Sequence, residues 1–159
     1  MRVGIVAVGR MKQGPERELL ARYLERAANG GKSLGFSGFA VTELSESRAG
    51  SAAARKAEEA KAIAAHTENT VNICLDEHGV GVSSEDFARR LLRWRDDGKP
   101  GVTFIIGGAD GLDPDLVRKT SLVLSFSPLT WPHQLVRVML AEQLYRATTI
   151  LSGHPYHRE

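Results

Sequence analysis

The sequence predicts an α/β fold: a single domain of residues 1–159 with a mostly parallel sheet and helices on both faces. Two observations support this prediction. Five short apolar runs alternate with five helix-forming segments, and this order favours parallel strands joined by crossover helices. The elements also fill the chain without a repeat or a linker, and the length is enough to bury a core.

Each predicted strand is an apolar run that ends at glycine or at polar residues. The first run, VGIVAV, stops at Gly9. The fourth leads directly into a glycine-rich turn, GGADG, at residues 107–111. The predicted strands cover residues 3–8, 39–44, 71–75, 102–106 and 122–126.

The predicted helices follow from amphipathic spacing and from capping residues. We expect Asn29-Gly30-Gly31 to end the first helix, because glycine commonly follows a helix C-terminus, and Ser83 to begin the third. The last helix carries apolar residues around more than one stripe, so it needs a second cover, which we expect to be a second copy of the chain. The predicted helices cover residues 16–27, 52–65, 83–97, 113–119 and 133–151.

The composition is that of an ordinary globular protein, with 42% apolar and 25% charged residues. No apolar run approaches the length of a membrane span, and residues 1–10 lack the layout of a signal peptide. The single cysteine, Cys74, lies in the apolar run VNICL, which indicates a buried thiol in a reducing cytoplasm. The net charge of +2 permits a nucleic-acid partner without requiring one.

Three strand ends are predicted to form one pocket: residues 75–77, the glycine turn, and the proline-bounded segment 126–132. The carboxyl ends of parallel strands share one edge of a sheet, where ligands bind in α/β folds. Backbone groups and apolar side chains suit a flat neutral base such as adenine and suit a triphosphate poorly. The chain has no G-x-G-x-x-G after its first strand, no P-loop and no G-x-S-x-G elbow.

Simpler interpretations remain open for each of these features. The glycine turn is equally well explained as a tight strand-to-helix turn. For the proline-bounded segment and the residues after it, pattern alone favours a capped helix start with an exposed charged stripe over a ligand-binding loop. The stripe would contain His133, Arg137, Glu142 and Arg146.

The C-terminal segment GHPYHRE (153–159) places an aromatic residue between two histidines and next to an arginine. Such residues can stack on an RNA base and contact phosphate. An ordinary surface tail is the alternative. A metal site is disfavoured, because no cysteine or third clustered ligand accompanies the histidines.

Five motifs together resemble the ribosomal RNA large subunit methyltransferase H family, a group of small SPOUT-class enzymes. They are VAVGRMK near the N-terminus, LDEHG with SSEDFA (75–79, 83–88), FIIGGADGL (104–112), LSFSPLTWPHQLVRVMLAEQLYRA (124–147) and GHPYHRE. The resemblance implies a C-terminal trefoil knot, a homodimer and S-adenosylmethionine as methyl donor. It also implies methyl transfer to N-3 of a pseudouridine in a hairpin loop of large-subunit (23S) ribosomal RNA on assembled ribosomes.

The resemblance also implies which residues form the donor site, and the chemistry of methyl transfer suggests which residues form the catalytic site. His133 is the hypothetical base or orienting group, although a helix-start residue that merely packs is equally expected, and Arg137 is the hypothetical charge stabiliser. Tyr156 and His157 complete the catalytic set, and together with Arg158 are expected to reach RNA bound beside the partner subunit's donor. The donor contacts expected are Leu75, Gly107, Gly108, Phe126, Ser127, Pro128, Leu129, Thr130, Trp131 and Pro132.

Two other functions remain as alternatives. The first is a different SPOUT-class enzyme that modifies transfer RNA or another ribosomal nucleotide. The second is a ribosome-binding factor without catalytic activity that uses the same pocket as a ligand sensor. A nicotinamide-dependent oxidoreductase is disfavoured by the missing dinucleotide fingerprint.

Overall fold

The computed structural model describes residues 1–157, and Arg158 and Glu159 lie outside the described residues. Strands and helices alternate in the order that the sequence predicts. The elements are β1 (Arg2–Val8), α1 (Pro15–Gly31), β2 (Ser37–Leu44), α2 (Ala52–Ala64), β3 (Val71–Val80), α3 (Ser84–Asp96), β4 (Gly101–Ile106), α4 (Pro114–Arg118), β5 (Leu122–Leu124) and α5 (His133–Ser152), with a 3-10 turn at Lys32–Leu34.

The five strands form one sheet in the order β2-β1-β4-β3-β5, and every strand pairing is parallel. All six residues of the central strand β4 are buried. A strand that is apolar on both faces requires cover on both faces. Helices α1, α3 and α5 pack on one face around Phe104, and α2 and α4 pack on the other around Ile105. The predicted fold class is therefore confirmed.

Helix α1 was predicted to end at Ala27, before Asn29-Gly30-Gly31, but it includes all three residues and its last residue is Gly31. The left-handed C-terminal residue is Gly35, with φ of 74°. A Cβ at Gly30 would lie 2.8 Å from Oγ1 of Thr148, and one at Gly31 would lie 2.7 Å from the ring of Phe39. These two glycines therefore permit close packing of α1 on its neighbours. The sequence pattern does not distinguish glycines with this packing role from glycines that end a helix.

Strand β3 continues to Val80, five residues beyond the predicted end at Leu75. The register between β3 and β5 shifts at this point, so that Leu75 and Val80 both pair with Leu124. The position of a Cβ on Gly79 lies only 2.6 Å from the carbonyl oxygen of Val123, so the extension needs glycine there. As a result, the extension bends over β5 beside the predicted pocket.

Within residues 1–157, no helix combines the length and the apolar character needed to cross a membrane.

Candidate functional site

A pocket lies where the carboxyl ends of β3, β4 and β5 meet. The register explains its position, because Leu75 on β3 pairs with both Ile106 on β4 and Leu124 on β5. Eight of the ten expected donor contacts line it, namely Leu75, Gly107, Gly108, Phe126, Ser127, Leu129, Thr130 and Trp131. Further lining residues are Asp76, Glu77, Ile106, Gly111, Leu112, Leu124, His133 and Val136. Pro128 and Pro132, the other two expected contacts, belong to the loop between β5 and α5 but do not line the pocket.

The glycine turn is both a tight strand-to-helix turn and one wall of the pocket, so the two interpretations of the sequence are compatible. The N–H of Gly111 donates to the carbonyl oxygen of Gly108 at 3.0 Å. Gly111 has φ of 82°, which a residue with a side chain rarely adopts. A Cβ on Gly107 would lie 2.9 Å from the backbone of Gly111. The turn therefore presents bare backbone to the pocket.

The loop after β5 is fixed by its own side chains and by the β3 extension. The hydroxyl of Ser127 accepts hydrogen bonds from the N–H of Leu129 at 3.0 Å and from Nε1 of Trp131 at 2.9 Å. Thr130 donates to Oε2 of Glu77 at 2.6 Å, across the pocket mouth. The hydrogen bonds within the loop and the one to Glu77 thus fix the conformation of the loop, as expected of a preformed binding site.

The polar side chains of the pocket are His133, Asp76 and Glu77, besides hydroxyl groups. His133 is the first residue of α5 and is half-buried. Asp76 accepts hydrogen bonds from both the backbone and the ring of His78, each at 2.9 Å. Among the described residues, no lysine or arginine lines the pocket. The sequence placed the end of β3 at the pocket, but it assigned no role to these two carboxylates.

Arg137 does not line the pocket, and it does not belong to an exposed stripe. It is 1% exposed. Its Nη2 donates to the carbonyl oxygens of Val8 and Gly9 at 2.7 and 2.9 Å, and its Nη1 donates to Oε1 of Glu43 at 3.0 Å. Burial lowers the pKa of Arg137, although the carboxylates of Glu43 and Glu46 oppose this effect. The guanidinium binds the carboxyl end of β1 instead of facing a substrate.

The C-terminal tail packs on α5 and α3 of its own chain. The hydroxyl of Tyr156 donates to Oε1 of Glu142 at 3.1 Å, and its ring centroid lies 4.6 Å from that of Tyr145. Burial is the main reason why the pKa of Tyr156 is raised. Nε2 of His157 lies 2.6 Å from Oε1 of Glu85 on α3. Arg158, the remaining predicted RNA contact, lies outside the described residues.

The predicted catalytic residues do not meet within one chain. His133 stands at the start of α5, whereas Tyr156 docks against Glu142, nine residues further along this helix. At a rise of 1.5 Å per residue, this separation is roughly 14 Å. The predicted pair of Glu142 and Arg146 forms, with a shortest distance of 2.5 Å. Within residues 1–157, no three histidine, cysteine or acidic side chains are grouped to hold a metal ion.

Comparison with known proteins agrees with the fold. Residues 1–157 match a family model described as predicted SPOUT methyltransferase, which gives the class of protein. Enzymes of this class use S-adenosylmethionine as methyl donor. The C-terminal trefoil knot stays a prediction. A probable methyltransferase from Bordetella pertussis Tohama I shares the fold, with a TM-score of 0.52 at 16% identity, covering 92% of this chain and 95% of that one.

The particular family follows from full-length relatives. The chain is 57% identical to ribosomal RNA large subunit methyltransferase H of Bradyrhizobium diazoefficiens, over 99% of both chains. It is 58% identical to the protein of the same name from Rhodopseudomonas palustris strain HaA2, again over 99% of both chains. The chain belongs to the ribosomal RNA large subunit methyltransferase H family, as its motifs predicted.

Proposed function

We propose that this protein transfers a methyl group from S-adenosylmethionine to N-3 of a pseudouridine in a hairpin loop of large-subunit ribosomal RNA. It acts in the cytoplasm on assembled ribosomes, as a homodimer. The observation that carries the proposal is the pocket at the ends of β3, β4 and β5, in a chain of this family. The name of the relatives supports ribosomal RNA as substrate.

The chemistry of the pocket fits the methyl donor. The backbone of Gly107 and Gly108 and the apolar side chains suit a flat, neutral adenine. The donor also carries a positive sulfonium and a positive amino group, and the carboxylates of Asp76 and Glu77 complement these charges. A triphosphate would meet the same carboxylates without a lysine or arginine in the described lining. When bound, the donor supplies a methyl group activated by the sulfonium.

The residues of this chain bind and orient the donor and the base, and they accept a proton from the base. Methyl transfer needs in-line alignment of donor and acceptor, so positioning dominates the catalysis. The N-3 proton of the base must leave, and His133 at the pocket wall is the proposed acceptor or orienting group. Arg137 lies on the same face of α5 one turn later and fixes the helix to β1, which makes it a positioning residue in this proposal.

Negative charge that develops on the oxygens of the base needs hydrogen-bond donors. Arg137 is engaged with β1 and Glu43 and is therefore not free for this task. The first N–H groups of α5 are available, because the N-cap residue Pro132 provides no side-chain hydrogen bond. The partner's tail supplies the remaining polar contacts to RNA.

A homodimer explains two features that a single chain does not: exposed apolar side chains beside the pocket, and a C-terminal tail that docks away from it. Among residues 1–157, four large apolar side chains are exposed: Val80, Leu129, Trp131 and Leu135, at 54%, 66%, 40% and 38%. Leu129 and Trp131 belong to the pocket loop, so a subunit that covers them also closes the pocket mouth. A tail that docks roughly 14 Å from His133 of its own chain is better placed to serve the pocket of the other subunit.

The decisive experiment measures labelled methyl transfer to ribosomes that lack the modification and then maps the methylated nucleotide. The wild-type protein should methylate N-3 of a pseudouridine in the large subunit. His133→Ala should lower kcat by about 10²- to 10⁴-fold while the Kd for S-adenosylmethionine stays within about twofold. His66→Ala, which changes an exposed histidine after α2, is the matched control. No transfer by the wild-type protein, or transfer to transfer RNA, would refute the proposal.

The homodimer is tested separately by sedimentation equilibrium. We expect a mass of two chains, and we expect Leu129→Asp with Leu135→Asp to weaken the association. A wild-type protein that is monomeric at the concentrations of the activity assay, yet fully active, would exclude the shared site.

A further inference from the structure

The glycine turn is held from outside the pocket by an ion pair with α2. The guanidinium of Arg55 donates from Nε to Oδ2 of Asp110 at 2.6 Å and from Nη2 to Oδ1 at 2.9 Å. A bidentate pair of this kind fixes orientation as well as distance. The remaining nitrogen, Nη1, donates to the carbonyl oxygen of Ala49 at 3.1 Å. Arg55 therefore joins the turn, α2 and the segment that precedes α2.

Mutual hydrogen bonding raises the pKa of Arg55 and lowers the pKa of Asp110, so the pair stays charged around neutral pH. A second residue on the same face of α2 supports the arrangement. Glu59, four residues after Arg55, is 7% exposed, and its Oε1 accepts the N–H of Ser47 at 2.9 Å. Its Oε2 lies 3.5 Å from the position that a Cβ on Gly108 would take.

The composition of the turn explains why it needs such support. Three of its five residues are glycine and one is alanine, so the free chain has many conformations to lose. Gly107, Gly108 and Gly111 line the pocket, whereas Asp110 does not. The one polar side chain of the turn, that of Asp110, thus anchors it from outside, and the pocket side remains bare backbone.

We propose that Arg55 is a positioning residue for the methyl donor, which prepares the glycine turn for binding through Asp110. This inference rests on the proposed function. Preordering a loop strengthens binding because the ligand no longer has to order it. The pair is partly exposed, with side chains 30% and 28% accessible, so its effect is moderate. Loss of the pair should weaken donor binding by about threefold to tenfold.

The test compares Arg55→Gln, Asp110→Asn and the double variant with Lys61→Gln, which removes one positive charge from an exposed position of the same helix. The Kd for S-adenosylmethionine and for its demethylated product is measured by titration calorimetry, and kcat and KM are measured on ribosomes. Both single variants should raise the donor Kd and KM by about threefold to tenfold. They should leave kcat at saturating donor and the KM for ribosomes within about twofold. The double variant should bind no more weakly than either single variant.

Hydrogen exchange gives a readout that does not depend on activity. In the protein without donor, the amides of residues 107–112 should exchange faster in Arg55→Gln than in wild type, and bound donor should remove most of the difference. Arg55→Lys, which keeps one contact to Asp110, should give an intermediate Kd. If Arg55→Gln does not fold, the donor Kd values of Arg55→Lys and Asp110→Asn test the inference in its place.

Two outcomes overturn the inference. One is an unchanged donor Kd in Arg55→Gln and Asp110→Asn. The other is a reduced kcat with an unchanged Kd, which would assign Arg55 a different role. A wild-type protein that binds neither the donor nor its product would instead refute the proposed function, so the two failures can be distinguished.

Discussion

Replacing Arg137 with methionine tests whether the buried guanidinium fixes α5 to the sheet. The change keeps most of the side-chain volume and removes the charge and three hydrogen bonds, to Val8, Gly9 and Glu43. The two carbonyl groups and the Glu43 carboxylate then lose a donor that is 1% exposed in the wild-type protein. We therefore expect Arg137→Met to lower the free energy of unfolding substantially.

The size of the loss follows from the surroundings. Removing one partner of a buried ion pair costs about 3–5 kcal/mol. Glu43 keeps the N–H of Met11 at 2.8 Å, and its side chain is 23% exposed. In addition, Nε of Arg137 is buried without a hydrogen-bond partner within residues 1–157. This cost of burial already lowers the contribution of Arg137 to the free energy of unfolding of the wild-type protein. We therefore expect about 3 kcal/mol, which for a chain of this size lowers Tm by roughly 6–12 °C.

The assay is urea unfolding followed by circular dichroism, with thermal scans as a second measurement. Arg146→Met is the matched control, because Arg146 lies on the same helix and pairs with Glu142, but its side chain is 27% exposed. The control should lose about 1 kcal/mol or less. A double variant with Glu43→Gln should be less destabilised than the sum of the single changes, because it leaves no unpaired carboxylate.

Equal losses in Arg137→Met and Arg146→Met would refute the assignment of a buried anchoring role. Additivity between Arg137→Met and Glu43→Gln would show that the two side chains do not interact in solution. If stability falls as expected, but methyl transfer at a temperature where the variant is folded keeps its wild-type kcat, then Arg137 supports the fold without positioning His133.

Two further predictions concern the core. Burial raises the pKa of Cys74 to about 11 from 9.0, so the unfolded chain loses its thiol proton first and stability should fall between pH 9 and pH 11. The full shift corresponds to about 2.7 kcal/mol, of which about 2 kcal/mol should be lost between pH 8 and pH 10.5. In urea unfolding at these two pH values, Cys74→Ala should lose about 2 kcal/mol less than the wild-type protein; parallel losses would contradict this. Gly31→Ala should destabilise by about 1–3 kcal/mol despite its higher helix propensity, because its Cβ would meet Phe39. Gly50→Ala, at an open position, should stay within about 0.5 kcal/mol of wild type.

The sequence predicts the elements and the edge of the sheet where the pocket lies, for a local reason. Apolar runs and helical spacing are visible within ten or fifteen residues, and alternation of the two dictates parallel strands. Parallel strands end at the same edge, so Leu75, Gly107 and Phe126 could be expected to meet although they are far apart along the chain. The motifs then supply the family, which the full-length relatives confirm.

Which face of a helix is buried was decided by packing. Arg137 has the spacing of an exposed stripe with His133, yet it is buried because the carboxyl end of β1 needs donors at that point. Gly30 and Gly31 have the pattern of residues that follow a helix, yet they form its last two positions, where Thr148 and Phe39 approach closely. Neither fact is contained in the local sequence.

Pairings between distant residues were likewise decided by the tertiary structure alone. Arg55 and Asp110 are 55 positions apart, and nothing in either segment indicates the other. The same holds for the extension of β3 over β5 and for the docking of Tyr156 on Glu142. The sequence by itself determined the α/β order, the pocket edge and the family, because these depend on short-range patterns. The tertiary structure decided which polar groups support that pocket, because this depends on which chain segments the packed sheet brings within hydrogen-bond distance.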